Sequence, residues 1–127
     1  MTLKQTLSEL ERKFMPQIPN HEQSAVIRSL KDEGIECELL KLFPDQIRHS
    51  QSKVNKDKVR SIINDIRSGK SIPPIFISED NYIIDGHHRW IAFKILKMPI
   101  KCIRIGLPQK EAIIKFKQIE SSIQKEK

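Results

Sequence analysis

Asp85-Gly86-His87-His88-Arg89-Trp90 sets a carboxylate, a glycine, two imidazoles and a guanidinium side by side. Tyr82-Ile83-Ile84 before them is apolar and extended in pattern, whereas Ala92, Phe93 and Leu96 after them follow helical spacing, so the run lies at a strand-to-helix junction. First-turn N–H groups of a helix lack intrahelical partners and the macrodipole makes that end partly positive, so such a junction captures phosphate. Gly86 removes the side chain that would block close approach. The amides of His87 and His88 would then meet a phosphate, and Arg89 would fork onto its oxygens. His87 or His88 could donate to the same anion or carry a proton. Asp85 would repel the ligand unless it holds Mg²⁺, orients a histidine or serves as a base.

The same residues have plainer uses. An Asp-Gly pair is commonly a turn. Trp90, joined to Phe93 by helical spacing, reads as a core anchor. A metal site on Asp85, His87 and His88 meets the difficulty that adjacent helical residues point about 100° apart, so only some could ligate one ion. His21 and His49 lie in polar stretches and read as solvated, as do the lysines of the helices.

The elements that would position this run follow from periodicity. Leu3, Leu7, Leu10 and Phe14 predict a helix stopped by Pro16 and Pro19. Asn20 and Gln23 resemble a capping box for a second helix that carries Val26, Ile27 and Leu30 and ends at Gly34. Residues 1–34 thus form an N-terminal helical extension with no evident chemistry, and residues 35–127 form the main domain. Ile35, Cys37 and Leu39 alternate with Glu36 and Glu38 as a strand that Pro44-Asp45 ends. Asn55 caps a helix with the stripe Val59, Ile62, Ile63 and Ile66, closed by Gly69. Ile75-Phe76-Ile77, the turn Ser78-Glu79-Asp80-Asn81 and Tyr82-Ile83-Ile84 read as a hairpin. Pro99 ends the helix after Gly86, strand 100–105 follows, and Ala112, Phe116, Ile119 and Ile123 mark a last helix. The order predicts an α+β domain with a small mixed sheet.

At 127 residues the chain suits one domain with a modest core, so one site is expected. Its formal charge of +7 favours polyanionic partners such as nucleotides or nucleic acid. Cys37 and Cys102 sit in strand-like runs without a CxxC spacing and read as free buried thiols. No apolar run approaches the roughly 20 residues of a membrane span and no signal-peptide pattern opens the chain, so a soluble, cytoplasmic protein in a reducing compartment is expected.

From 35 to 105 the chain resembles the ParB/sulfiredoxin-like fold, often labelled ParB-like nuclease. The resemblance is carried by the opening strand, the polar link Ser50-Gln51-Ser52-Lys53-Val54, the helix of residues 55–68, the run Ile72-Pro73-Pro74-Ile75 and the glycine-histidine-arginine turn. It implies a turn that holds nucleotide phosphates, CTP in ParB proteins and ATP in sulfiredoxins. His87 stands where sulfiredoxins carry cysteine. The Asp-Gly-His-His-Arg form is similar to that of free-serine kinases of this fold and of bacteriophage ParB-like proteins, which implies a bacterial cell or phage-infected host. In the kinases this aspartate and an upstream glutamate assist phosphoryl transfer, and Gln51 stands near that upstream position.

The sequence therefore predicts a nucleotide-binding phosphotransferase or nucleotide hydrolase taking ATP, ADP or CTP with Mg²⁺. Gly86, His87, His88 and Arg89 would bind phosphate. Asp85 would be base or Mg²⁺ partner, His88 would assist proton transfer and Gln51 would position the substrate. Glu79 or Asp80 at the hairpin tip would replace the missing second carboxylate. The alternatives are a DNA-binding or metal-dependent nuclease using the Asp-His-His cluster and the basic surface, or a non-catalytic assembly module docking through residues 1–34.

Overall fold

The computed structural model describes residues 18–49 and 54–125. The first expected helix, and Gln51 with its polar link, lie outside the described residues. Four strands form one mixed sheet in the order β1-β4-β2-β3. Strand β1 (Cys37–Leu42) runs antiparallel to β4 (Ile100–Ile105), β2 (Ile75–Ile77) runs parallel to β4, and β3 (Ile83–Asp85) returns antiparallel to β2. Helices α1 (Gln23–Asp32), α2 (Lys56–Arg67), α3 (His87–Leu96) and α4 (Gln109–Lys125) complete the α+β domain. Among the described residues no helix is long and apolar enough to cross a membrane.

Alternation along β4 divides the core in two, because successive side chains leave opposite faces of a strand. Ile103 and Ile105 join Val26 and Leu30 of α1 and Ala112 and Phe116 of α4, with Phe76 and Phe116 meeting edge to face at 4.9 Å. Ile100 and Cys102 join Ile47, Ile75, Ile77 and Trp90 of α3. Full burial of side chains of this size contributes roughly 1.5–3 kcal/mol each. Val26 and Leu30 therefore fasten residues 20–34 to the same core as the sheet.

Side-chain assignments within the expected elements differ at three places. Leu39, expected to face the core with Cys37, is 69% exposed, whereas Leu40 and Leu42 on the other face pack against the second cluster. The reason is position: β1 is an edge strand, and the cluster built by α1 and α4 reaches Cys37 but not Leu39. The expected capping box at Asn20 and Gln23 does not form. Asn20 opens a 3-10 turn and its side chain accepts from Arg89 at 3.1 Å, while Gln23 donates to the Pro74 carbonyl at 2.9 Å. Tertiary partners took the side chains that local capping would use. The third strand starts one residue late, because Tyr82 bridges Arg48, and it ends on Asp85 opposite Phe76. Asn55 does cap α2, accepting from the amides of Asp57 and Lys58 at 3.1 and 3.2 Å.

Candidate functional site

Strand β3 delivers Asp85 to the edge of a cleft of about 460 Å³, and Gly86 then turns the chain into α3 with φ +107°. A β-carbon at Gly86 would lie 2.4 Å from Ile75 Cγ2 and 2.8 Å from an Arg89 guanidinium nitrogen. Glycine is thus required both for the left-handed backbone and because the Arg89 guanidinium lies across it. The first intrahelical bond of α3 runs from the Trp90 amide to the Gly86 carbonyl at 3.0 Å, which leaves the amides of His87 and His88 outside the helical ladder. Gly86, His87 and His88 line the cleft together with Asn20, Asp65, Lys70, Ser71 and Pro73.

Arg89 does not reach outward as expected. It is 9% exposed, its Nη2 donates to Asp85 Oδ2 at 3.3 Å, and its Nη1 donates to Asn20 Oδ1 at 3.1 Å and the Pro73 carbonyl at 3.4 Å. Asp85, 7% exposed, also accepts from the Ile18 amide, so it does not present a bare carboxylate to the cleft mouth. Burial pushes its pKa up to about 6, opposed by the Arg89 charge and the Ile18 amide. The physical reason for both corrections is the same: two buried opposite charges four residues apart satisfy each other first.

The histidines differ from expectation as well. His87 is buried and, among the described residues, its Nδ1 has no hydrogen-bond partner. Burial, then the neighbouring His88 and His49, push its pKa down to about 4, so at neutral pH it is an uncharged imidazole and not a cationic donor. His88 Nε2 accepts from the Asn55 amide at 3.1 Å, which assigns the proton to Nδ1 and takes Nε2 out of proton transfer. This bond ties the start of α2 to the start of α3. His49, read as solvated, lies 4.7 Å from the Trp90 ring and 5.8 Å from that of His87. Trp90 is the expected core anchor, 4% exposed with Nε1 donating to the Pro44 carbonyl at 3.0 Å.

Among the described residues no group of three or more His, Cys, Asp or Glu could hold a metal, so Asp85, His87 and His88 do not converge on one ion. Glu79 and Asp80 do not line the cleft. Asp80 instead accepts from Ser78 within the turn, and the Glu79 amide bonds the Leu107 carbonyl. The second carboxylate of the cleft is Asp65, 3.4 Å from Lys70. Sequence reasoning missed Asp65, Lys70, Ser71 and Asn20. The available signal was Lys70-Ser71, which sits between the helix-ending Gly69 and the run Ile72-Pro73-Pro74.

The two shifted groups act on stability with opposite sign. Asp85, with a folded pKa above its unfolded value near 3.8, contributes stability that is present below that value and lost as pH rises through about 6. His87, with a folded pKa below 6.5, contributes stability that is present above 6.5 and lost as pH falls through about 4. The two windows overlap and the signs are opposite, so the two effects offset each other in the native chain. Urea unfolding at pH 4 and pH 6.5 should show Asp85→Asn gaining stability relative to the parent as pH rises, and His87→Phe losing it. Parallel pH profiles for all three proteins would refute this assignment.

No protein-family model and no curated protein matches the chain. Among solved structures, a pNOB8-like ParB-N domain superposes with a TM-score of 0.53 at 14% identity, over 65% of this chain and 35% of that one. A second structure of the pNOB8-like ParB N-domain gives 0.50 at 16% identity, over 61% of this chain and 30% of that one. Sulfiredoxin from Arabidopsis thaliana gives 0.49 at 23% identity, over 62% of this chain and 96% of that one. The chain spans about a third of the length of the ParB N-domain chains it matches. Likeness at these identities is likeness of fold alone: the chain has the ParB/sulfiredoxin-like fold.

Proposed function

We propose that the cleft binds a nucleotide by its phosphates, seated on the first-turn amides of α3, for phosphoryl transfer or hydrolysis. The observation that carries this reading is the Gly86 junction: the amides of His87 and His88 lie outside the helical ladder beside a cleft of about 460 Å³. That volume is within the roughly 300–1,000 Å³ of small-molecule sites. The buried Nδ1 of His87, a residue lining the same cleft, is a second polar group without a partner among the described residues. The Asp85–Arg89 pair supports the reading too, since it neutralises the carboxylate that would otherwise repel an anion there.

Mg²⁺ on Asp85 does not fit these residues, because the carboxylate is engaged by Arg89 and the Ile18 amide. Asp85 is a positioning residue that holds Arg89 across Gly86. For transfer to a hydroxyl acceptor or to water, Asp65 is the more exposed carboxylate lining the cleft and takes the role of base.

Thermal unfolding of the full chain against ATP, ADP, CTP and GTP, beside a short DNA duplex at two salt concentrations, tests this. A nucleotide present at 100 times its dissociation constant adds about 2.7 kcal/mol, visible as a rise in Tm. A shift with DNA alone that fades with salt would overturn the nucleotide reading in favour of the basic surface.

A further inference from the structure

We propose that Lys70 is a second anion anchor in this cleft, and that a ligand with two or more linked phosphates draws it away from Asp65. This rests on the reading of α3 as the first phosphate seat. Two cationic side chains line the cleft among the described residues, Arg89 and Lys70. Arg89 is buried and neutralised by Asp85. His87 is uncharged at neutral pH, and His88 uses Nε2 as an acceptor. Among the described residues, a net positive charge for a polyanion therefore comes from Lys70.

Lys70 is built to be released. Its backbone is fixed, with the amide bonded to the Asp65 carbonyl at 3.0 Å just after Gly69 ends α2 at φ +82°. Its side chain is 69% exposed and meets the half-exposed Asp65 carboxylate at 3.4 Å. An exposed pair of this kind is held weakly, and a phosphate offers the ammonium more charge than a single carboxylate does. One phosphate on the amides of α3 also leaves much of the cleft unfilled. A further phosphate linked to it would extend toward Lys70 and Ser71, which line the same cleft. The ligand class is thus a nucleoside diphosphate or triphosphate in preference to a monophosphate.

Calorimetric titration of the full chain with ADP and pyrophosphate, against AMP and orthophosphate, tests the assignment. Lys70→Gln should weaken ADP and pyrophosphate about tenfold, the loss of one charge-assisted bond, and leave AMP and orthophosphate unchanged. Asp65→Asn should strengthen ADP and pyrophosphate by freeing Lys70. Both sites are exposed, so an unaltered Tm verifies the fold. If the parent chain binds ADP and Lys70→Gln binds it equally well, or loses AMP to the same extent, Lys70 is not a second anchor while the α3 seat stands. If the parent binds none of the four, the phosphate reading fails and this proposal falls with it.

Discussion

Gly86→Ala is expected to lose about 2–5 kcal/mol of stability, while Gly69→Ala loses about 1–2 kcal/mol. Both glycines occupy left-handed backbone, at φ +107° and +82°, and a residue with a β-carbon is strained there by about 1–2 kcal/mol. Only at Gly86 does that carbon also collide, with Ile75 Cγ2 at 2.4 Å, whereas at Gly69 it meets nothing within 4 Å. Overpacking adds about 1–3 kcal/mol. Ile75 is fully buried in the cluster that contains Trp90, so it has little room to yield. Urea denaturation of the two variants isolates the steric part, and equal losses would show that the close approach at Gly86 is not a constraint. Because the collision also involves Arg89, Gly86→Ala should disturb the junction even where the rest of the fold survives.

Arg89→Met should cost about 3–5 kcal/mol, as expected when one partner of a buried ion pair is removed and the other is left uncompensated. Arg89 also loses two further acceptors, Asn20 Oδ1 and the Pro73 carbonyl. Those bonds knit three separate pieces of chain: the turn at Asn20, the loop at Pro73 and the start of α3. Arg89→Lys should recover little, since a single ammonium cannot reproduce a planar fork directed at three acceptors. The double variant Arg89→Met/Asp85→Leu should recover most of the loss, because both charges then leave together. Chemical denaturation of the set checks this, and a single variant costing under about 1 kcal/mol would contradict the buried-pair account. Asp85 and Arg89 would then have to be reassigned as cleft groups facing solvent.

Periodic patterns made the element order legible. Helix α2 was readable from Asn55, the Val59-Ile62-Ile63-Ile66 stripe and Gly69, and β4 with α4 from Pro99 and the Ala112-Phe116-Ile119-Ile123 spacing. The junction at Gly86 was readable for the same reason, since strand-like and helical spacing meet there. Illegible were the partners that the site residues choose. Arg89 bonds Asn20, 69 residues away, and His88 bonds Asn55, 33 residues away. Local chemistry at Asn20 offered a helix cap instead, and nothing in the nearby sequence states that a guanidinium will arrive. His49 looked solvated because its neighbours in sequence are polar, yet it is folded against Trp90 and His87. Asp65 and Lys70 carry no local pattern that marks a site, and only the assembled fold places them on the cleft.

The central claim is that a nucleotide phosphate sits on the amides of His87 and His88. Amide proton–nitrogen correlation spectra of the full chain, titrated with ADP, test it most directly. The account predicts the largest displacements at the backbone amides of His87 and His88, with smaller ones at Lys70 and Ser71 and none in β1 or at the exposed end of α4. Saturable shifts elsewhere, with the His87 and His88 amides unmoved, would contradict it.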